Sequence, residues 1–229
     1  MKTIGLVGGM SWESSAVYYR DLNLGMQERL GGLSSPKLAL TTVDFAEITD
    51  LEDEEQWDQV GQLLADAARG VERAGADFLL LCTTTFHKVA DEVEAAVDIP
   101  VLHLADVVAR AVTAAGISKV GLVGTKVAMS ESFFVDRLAS HGLDVIVPDA
   151  AHHDVLNDAI YEELVHGVVL PRTRSRVVAI IEELWDAGAD GVLLGCTELE
   201  LLVKQADVEL PVFPCTTLHV QAALDAALA

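Results

Sequence analysis

Positive charge is scarce in this chain. Its 15 lysines and arginines face 36 aspartates and glutamates, a formal charge of −21 at pH 7, and such an excess of carboxylates repels nucleic acid and anionic membrane surfaces. Long apolar runs are also missing: none reaches the roughly 18 residues that a membrane-spanning helix needs. Met1-Lys2-Thr3 passes directly into an apolar segment with no basic, apolar, small-residue leader ahead of it, so the expected location is the cytoplasm. Cysteine occurs only three times in 229 residues, an odd number that argues for reduced thiols rather than a disulfide framework. No stretch is rich enough in proline, glycine or serine to form a long linker.

Two cofactor classes are excluded on spacing. Gly5, Gly8 and Gly9 follow the first apolar run but do not have the intervals of a dinucleotide fingerprint. His152-His153 and the cysteines show no paired ligand spacing, so these histidines read as surface or capping residues and no metal is expected.

What the chain does contain is a duplication. Ala74-Gly75-Ala76-Asp77 leads through an apolar run to Cys82-Thr83, and Ala187-Gly188-Ala189-Asp190 leads through another to Cys196-Thr197. A Gly-Leu-Val-Gly segment precedes each cysteine, at Gly5 to Gly8 and at Gly121 to Gly124, and a Pro-Val step follows each, at Pro100-Val101 and Pro211-Val212. Gly5 and Gly121 are 116 positions apart and the two cysteines 114, the signature of two copies of one supersecondary unit.

Within each copy, short apolar runs alternate with amphipathic stretches of helical length, which predicts parallel strands joined by crossover helices. Strands are expected at Ile4–Val7, Leu38–Val43, Phe78–Leu81, Val101–Leu104, Val120–Val123, Val145–Val147, Val192–Leu194 and Val212–Phe213. Helices are expected near 13–30, 57–74, 89–97, 106–115, 131–141, 154–166, 174–187 and 217–228. The expected fold class is α/β, with two similar lobes, each a parallel sheet flanked by helices, related by pseudo-two-fold symmetry with the active site between them. The first lobe is drawn over 1–115, the second over 116–207, and 208–229 is expected to pack back on the first.

Ligands of open parallel sheets bind outside the carboxyl ends of the strands. Those ends carry Gly8-Gly9-Met10-Ser11, Cys82-Thr83-Thr84-Thr85, Gly124-Thr125 and Gly195-Cys196-Thr197-Glu198. Small residues, hydroxyls and helix-start amides suit a carboxylate. Cys215 reads as a buried small hydrophobe. Cys82 and Cys196 differ from it because each ends a strand and precedes a helix start, a setting expected to favour the thiolate. Two such thiols on opposite sides of an amino acid would take the α proton from one face and return one to the other, with the Thr83, Thr85, Thr125 and Thr197 hydroxyls stabilising the carbanion. His87 and His103 are candidates for supporting groups near the first thiol.

At these residues the chain resembles the aspartate/glutamate racemase superfamily, most closely its bacterial broad-specificity amino-acid racemase branch. The matching stretches are Lys2-Thr3-Ile4-Gly5-Leu6, Gly8-Gly9-Met10-Ser11-Trp12-Glu13-Ser14, Tyr18-Tyr19-Arg20, Val43-Asp44-Phe45, His87-Lys88-Val89-Ala90-Asp91 and Gly195-Cys196-Thr197-Glu198. The resemblance implies a cofactor-independent racemase, often dimeric, with Cys82 and Cys196 as the two proton-transfer groups. Met10, Ser11, Thr83, Thr84, Thr85, Thr125 and Thr197 would bind substrate, Glu52 and the stretch from Tyr161 to Arg174 would face its side chain, and His87, Glu198 and Arg174 would stand behind them.

The chain departs from the family pattern at Thr84, where relatives carry asparagine in the loop after the first cysteine. One hydroxyl there replaces an amide and a carbonyl, and a hydrogen bond worth about 1 kcal/mol is lost or rearranged. Glu52, which opens the run Glu52-Asp53-Glu54-Glu55, stands where relatives carry glutamine; turned to the substrate it would disfavour acidic side chains. The alternatives are a maleate isomerase-like enzyme working through a covalent cysteine adduct, or a catalytically silent amino-acid-binding homologue.

Overall fold

The structure is a computed structural model that describes residues 1–229. The chain divides into two compact units, one of Met1–Leu104 with His219–Ala229 and one of Ala105–Leu218. Each is built on a parallel sheet.

In the first unit β1 (Thr3–Gly8) lies between β2 (Lys37–Thr42) and β3 (Phe78–Leu81). Helices α1 (Trp12–Leu30), α2 (Phe45–Asp53), α3 (Trp57–Arg73) and the short α4 (Ala90–Glu94) connect and cover these strands. On α3 the buried residues Val60, Leu64, Ala67, Ala68 and Val71 recur at helical intervals. They form one apolar face that packs with Val7, Leu79 and Leu81 of the sheet. Each large aliphatic side chain so buried contributes about 1.5–3 kcal/mol. The opposite sheet face is covered by Tyr18, Leu22 and Met26 of α1 together with Val220, Ala223 and Leu224.

The second unit repeats this plan and adds a strand. Its sheet runs β5 (Asp144–Ile146), β4 (Lys119–Val123), β6 (Val192–Leu194), β7 (Val212–Pro214). Between α5 (Leu104–Ala114) and α11 (Cys215–Leu228) its helices are α6 (Lys126–Ser130), α7 (Ser132–Ser140), α8 (Ala150–Asp158), α9 (Pro171–Asp186) and α10 (Leu199–Leu202).

The sequence repeat is visible as repeated contacts. Gly5 and Gly121 lie where a helix crosses the central strand so closely that a Cβ would come 2.3 Å from Val71 on α3 or 2.8 Å from Leu184 on α9. Gly75 and Gly188 have φ of +90° and +93°, the left-handed turn that stops each of these helices and that glycine adopts without penalty. Asp77 and Asp190 then start the next strand, their N–H groups bonding the carbonyls of Thr3 and Lys119.

The boundaries differ from those read in the sequence. The structural units end at Leu104 and Leu218, because Val212 to Pro214 pair with β6 and hold residues 208–218 in the second unit. Only from His219 does α11 belong to the first, where Val220, Ala223 and Leu224 are buried. The strand expected at Val101–Leu104 is a single bridge from Val101 to Leu79, since α5 already starts at Leu104. The expected helix over 154–166 is three pieces: α8, a π-helical turn at Ala159–Glu163 and a 3-10 turn at Leu164–His166.

Candidate active site

Both cysteines leave the carboxyl end of a strand next to the central one. In the first unit the Cys82 N–H donates to the Val7 carbonyl at 2.9 Å, so Cys82 and the Gly8-Gly9-Met10-Ser11 turn emerge from adjacent strands. In the second the Gly195 N–H donates to the Val123 carbonyl at 2.8 Å, which brings Gly124-Thr125 beside Gly195-Cys196 in the same way.

The thiols have unlike surroundings. Cys82 is fully buried in an apolar cluster with Tyr18, Leu22, Leu80 and Val220. Cys196 is also buried, but its sulfur lies 2.7 Å from Glu198 Oε2. Burial pushes both thiols above their ordinary range, and at Cys196 the negative charge of Glu198 pushes further in the same direction. The helix-start effect expected from the sequence is thereby overruled. Cys82 runs into a 3-10 turn at Thr85–Val89, and Cys196 into the four-residue α10; such short segments offer little dipole to offset the cost of desolvating a thiolate.

Several predicted binding residues also have structural duties. The Ser11 hydroxyl accepts from the Ser14 N–H at the start of α1, and that of Thr125 accepts from the Ala128 N–H at the start of α6. Each is a helix cap. Ser15 ties the first turn together, its hydroxyl accepting from Gly9 N–H at 2.8 Å and donating to the Ser11 carbonyl at 3.0 Å. Met10 is buried with Phe86 and Ile48. Thr83, Thr84 and Thr85 are all buried, and the Thr84 carbonyl accepts from the His87 N–H. Glu52 is half-buried in the last turn of α2, while Asp53, Glu54 and Glu55 are exposed.

The candidate supporting residues act mainly on the backbone. His87 Nε2 accepts from the Leu104 N–H at 3.2 Å, and its ring stands edge-on to His103 with centroids 4.5 Å apart. Arg174 Nε donates to the Leu202 carbonyl at 2.7 Å, anchoring the end of the short helix after Cys196. Tyr161 belongs to the π-helical turn and is half-buried against the core of the second unit. Cys215 is a buried thiol raised by burial first and by Glu200 second.

Two groups of hydrogen-bonded contacts carry no signature in the sequence. Thr197 and Thr216 bring their hydroxyl oxygens within 3.0 Å, and Glu200 accepts from the Thr216 N–H at 2.6 Å and the Thr217 hydroxyl at 2.8 Å. In the first unit Tyr18 donates to His219 Nδ1 at 2.8 Å, while His219 Nε2 meets the Leu102 carbonyl at 2.7 Å. These partners are separated by 16 to 201 positions, beyond the reach of any local pattern.

Two repeated parallel α/β units, each placing a buried cysteine at the carboxyl end of its third strand, define a duplicated α/β fold with one strand-end thiol in each unit. Residues 7–223 match the Asp/Glu/Hydantoin racemase family, and the chain belongs to it. A candidate Asp/Glu racemase from Yersinia pestis is similar over 100% of both chains, with 44% identity and a TM-score of 0.93. An aspartate racemase homologue from Pyrococcus horikoshii OT3 also aligns over 100% of both, with 34% identity and a TM-score of 0.89. The broad specificity amino-acid racemase RacX of Bacillus subtilis is 23% identical over 158 residues, 68% of this chain and 66% of that protein, just under two thirds of its length. No helix of the structure is long and apolar enough to cross a membrane.

Proposed function

We propose that this protein is an amino-acid racemase that needs no cofactor and interconverts L- and D-amino acids by proton transfer through Cys82 and Cys196. The carrying observation is the repeated placement of a buried thiol at a strand end, one of them in contact with a carboxylate. Family membership supports the reaction class.

At neutral pH the raised thiols rest protonated. A substrate ammonium, as a nearby positive charge, favours the thiolate. Glu198 is within reach to take the Cys196 proton. The thiolate then removes the α proton, becoming a thiol, and the other cysteine delivers its own proton to the opposite face, becoming the thiolate. A thiolate with a raised pKa is the stronger base, which suits the weak acidity of an α-carbon. Buried hydroxyls and strand-end amides stabilise the intermediate charge.

The assembly is a homodimer and the location cytoplasmic in this reading. Trp12 and Tyr19, both exposed and seven positions apart on α1, offer apolar area of the kind that association buries.

The decisive measurement is α-proton exchange in deuterium oxide across the common amino acids. Exchange should occur in the wild type, and racemisation should be abolished in Cys82→Ala and in Cys196→Ala, whose remaining thiol reaches only one face of the α-carbon. Full activity in either variant would sink the two-thiol assignment. A stable covalent adduct seen by mass spectrometry would favour the isomerase alternative instead.

A further inference from the structure

Ser130 and His153 pair a nucleophile with a base, and the proton transfer proposed above uses neither of them. Ser130 ends α6 and is exposed, and its Oγ lies 3.1 Å from His153 Nδ1 on α8. His153, expected from the sequence at the surface or as a cap, is only 8% exposed, and its Nε2 lies 2.9 Å from the Pro148 carbonyl. A carbonyl can only accept. In the neutral imidazole Nε2 therefore carries the proton, and Nδ1 takes the hydrogen bond of the Ser130 hydroxyl.

A hydroxyl that donates to an imidazole, whose far nitrogen is in turn held by an acceptor, is the arrangement that activates a serine. Joining α6 to α8 does not require it. Lys126 already does so, its N–H donating to Asn157 Oδ1 at 3.0 Å and its Nζ to Asp154 at 2.8 Å.

An activated serine also needs donors for the negative charge that develops on the carbonyl it attacks. Helix α7 starts at Ser132, two residues beyond Ser130, and no side chain caps it. The N–H groups of its first turn have no partner within the helix and follow the nucleophile directly in the chain. Glu131, the residue between the two helices, places a negative charge there that disfavours anionic substrates.

We propose that Ser130, with His153 as its base and the Pro148 carbonyl orienting that base, is a second catalytic centre that hydrolyses neutral carboxylic esters through an acyl-serine. It does not rest on the racemase reading. Ser130 Oγ bonds to the acyl carbon while its proton passes to His153 Nδ1; the ester C–O bond then breaks and the alcohol leaves with that proton. Water next attacks the acyl carbon and gives a proton to His153. The acyl–Oγ bond breaks, Ser130 recovers the proton, and ester and water have become acid and alcohol.

The test uses the full chain. A fluorophosphonate, which bonds to an activated serine oxygen with loss of fluoride, should label Ser130 in the wild type, with fragmentation of the labelled peptide separating Ser130 from Ser132. Hydrolysis of p-nitrophenyl acetate should fall about 10²-fold in Ser130→Ala and about as far in His153→Gln, whose amide still donates to the Pro148 carbonyl but takes up no proton. Ser132→Ala keeps its backbone N–H and should keep the ester rate. Should His153→Gln fold poorly, the labelling and Ser130→Ala decide, because the serine is exposed and its loss leaves the core intact. Equal ester rates in the wild type and Ser130→Ala, or a probe found only on other residues, overturn the proposal. A lower unfolding midpoint in Ser130→Ala alongside an unchanged rate would leave the pair a purely structural tie, and overturns it too.

Discussion

Cys196 and Glu198 form a thiol–carboxylate pair, with Sγ and Oε2 2.7 Å apart inside the turn after β6. The carboxylate has two opposing effects. Its charge raises the thiol pKa, yet it is also the group within reach to accept the thiol proton. Cys82 is raised by burial alone. The two thiols are therefore chemically distinguishable, although the sequence repeat makes them equivalent by position.

Replacing Glu198 by glutamine separates those effects. The charge disappears, so the Cys196 thiol should titrate at lower pH, which is read from the pH dependence of its alkylation rate while Cys82 is followed as internal control. The proton acceptor disappears as well, and kcat/KM should fall by about 10²-fold, at the lower end of general acid–base contributions. A Cys196 titration that does not move would show that desolvation alone sets it.

At Thr84 the expected direction is a gain. The side chain is buried beside the 3-10 turn after Cys82 and makes no capping bond there. Thr84→Asn supplies the amide and carbonyl that one hydroxyl cannot, so kcat/KM for racemisation should rise about five- to tenfold, the equivalent of about 1 kcal/mol. No gain would mean that the three-threonine loop is complete as it stands.

His219 makes stability depend on pH. Its Nε2 faces a carbonyl and so carries the proton, and Nδ1 accepts from Tyr18. Burial lowers the pKa from 6.5 to about 4. Between those values the unfolded chain binds a proton that the folded one refuses, so the stability contribution is complete above pH 6.5 and falls by about 3 kcal/mol on acidification to pH 4. Urea unfolding of His219→Gln, whose amide satisfies both partners without titrating, should have a flatter profile in this window. Glu200 works in the opposite sense: its raised pKa means that protonation below about 7 favours the folded state, and that contribution is lost as pH rises through the value.

The close crossing of α3 over β1 allows no side chain at Gly5. An alanine Cβ would meet Val71 Cγ1 at 2.3 Å. Gly5→Ala should therefore cost about 1–3 kcal/mol through overpacking, measured as a lower denaturation midpoint with an unchanged slope. A neutral result would show that Val71 and α3 can move aside.

The repeat carried much of the architecture. Phe78–Leu81 and Val192–Leu194 are strands with the bounds expected from their apolar runs, because a short β-rich segment after a helix-stopping glycine has one good local solution. The helix at Phe45–Asp53 was not expected: its apolar positions are few, and Asp44 accepting from the Ala46 N–H is its start signal. The Val101 segment has strand-like residues but only one bridge, since α5 begins three residues later.

Local order along the chain thus determined the α/β class, the duplication, the two strand-end cysteines and the family pattern around them. Tertiary structure decided the chemistry of those cysteines, enclosing Cys82 in apolar side chains and turning Glu198 toward Cys196. It also decided that Glu200 reaches Thr216 and that Tyr18 reaches His219. The physical reason is common to all of these. A thiol's proton affinity and a hydroxyl's direction depend on desolvation and on partners far away in sequence, while strand and helix patterns depend on neighbours a few residues apart.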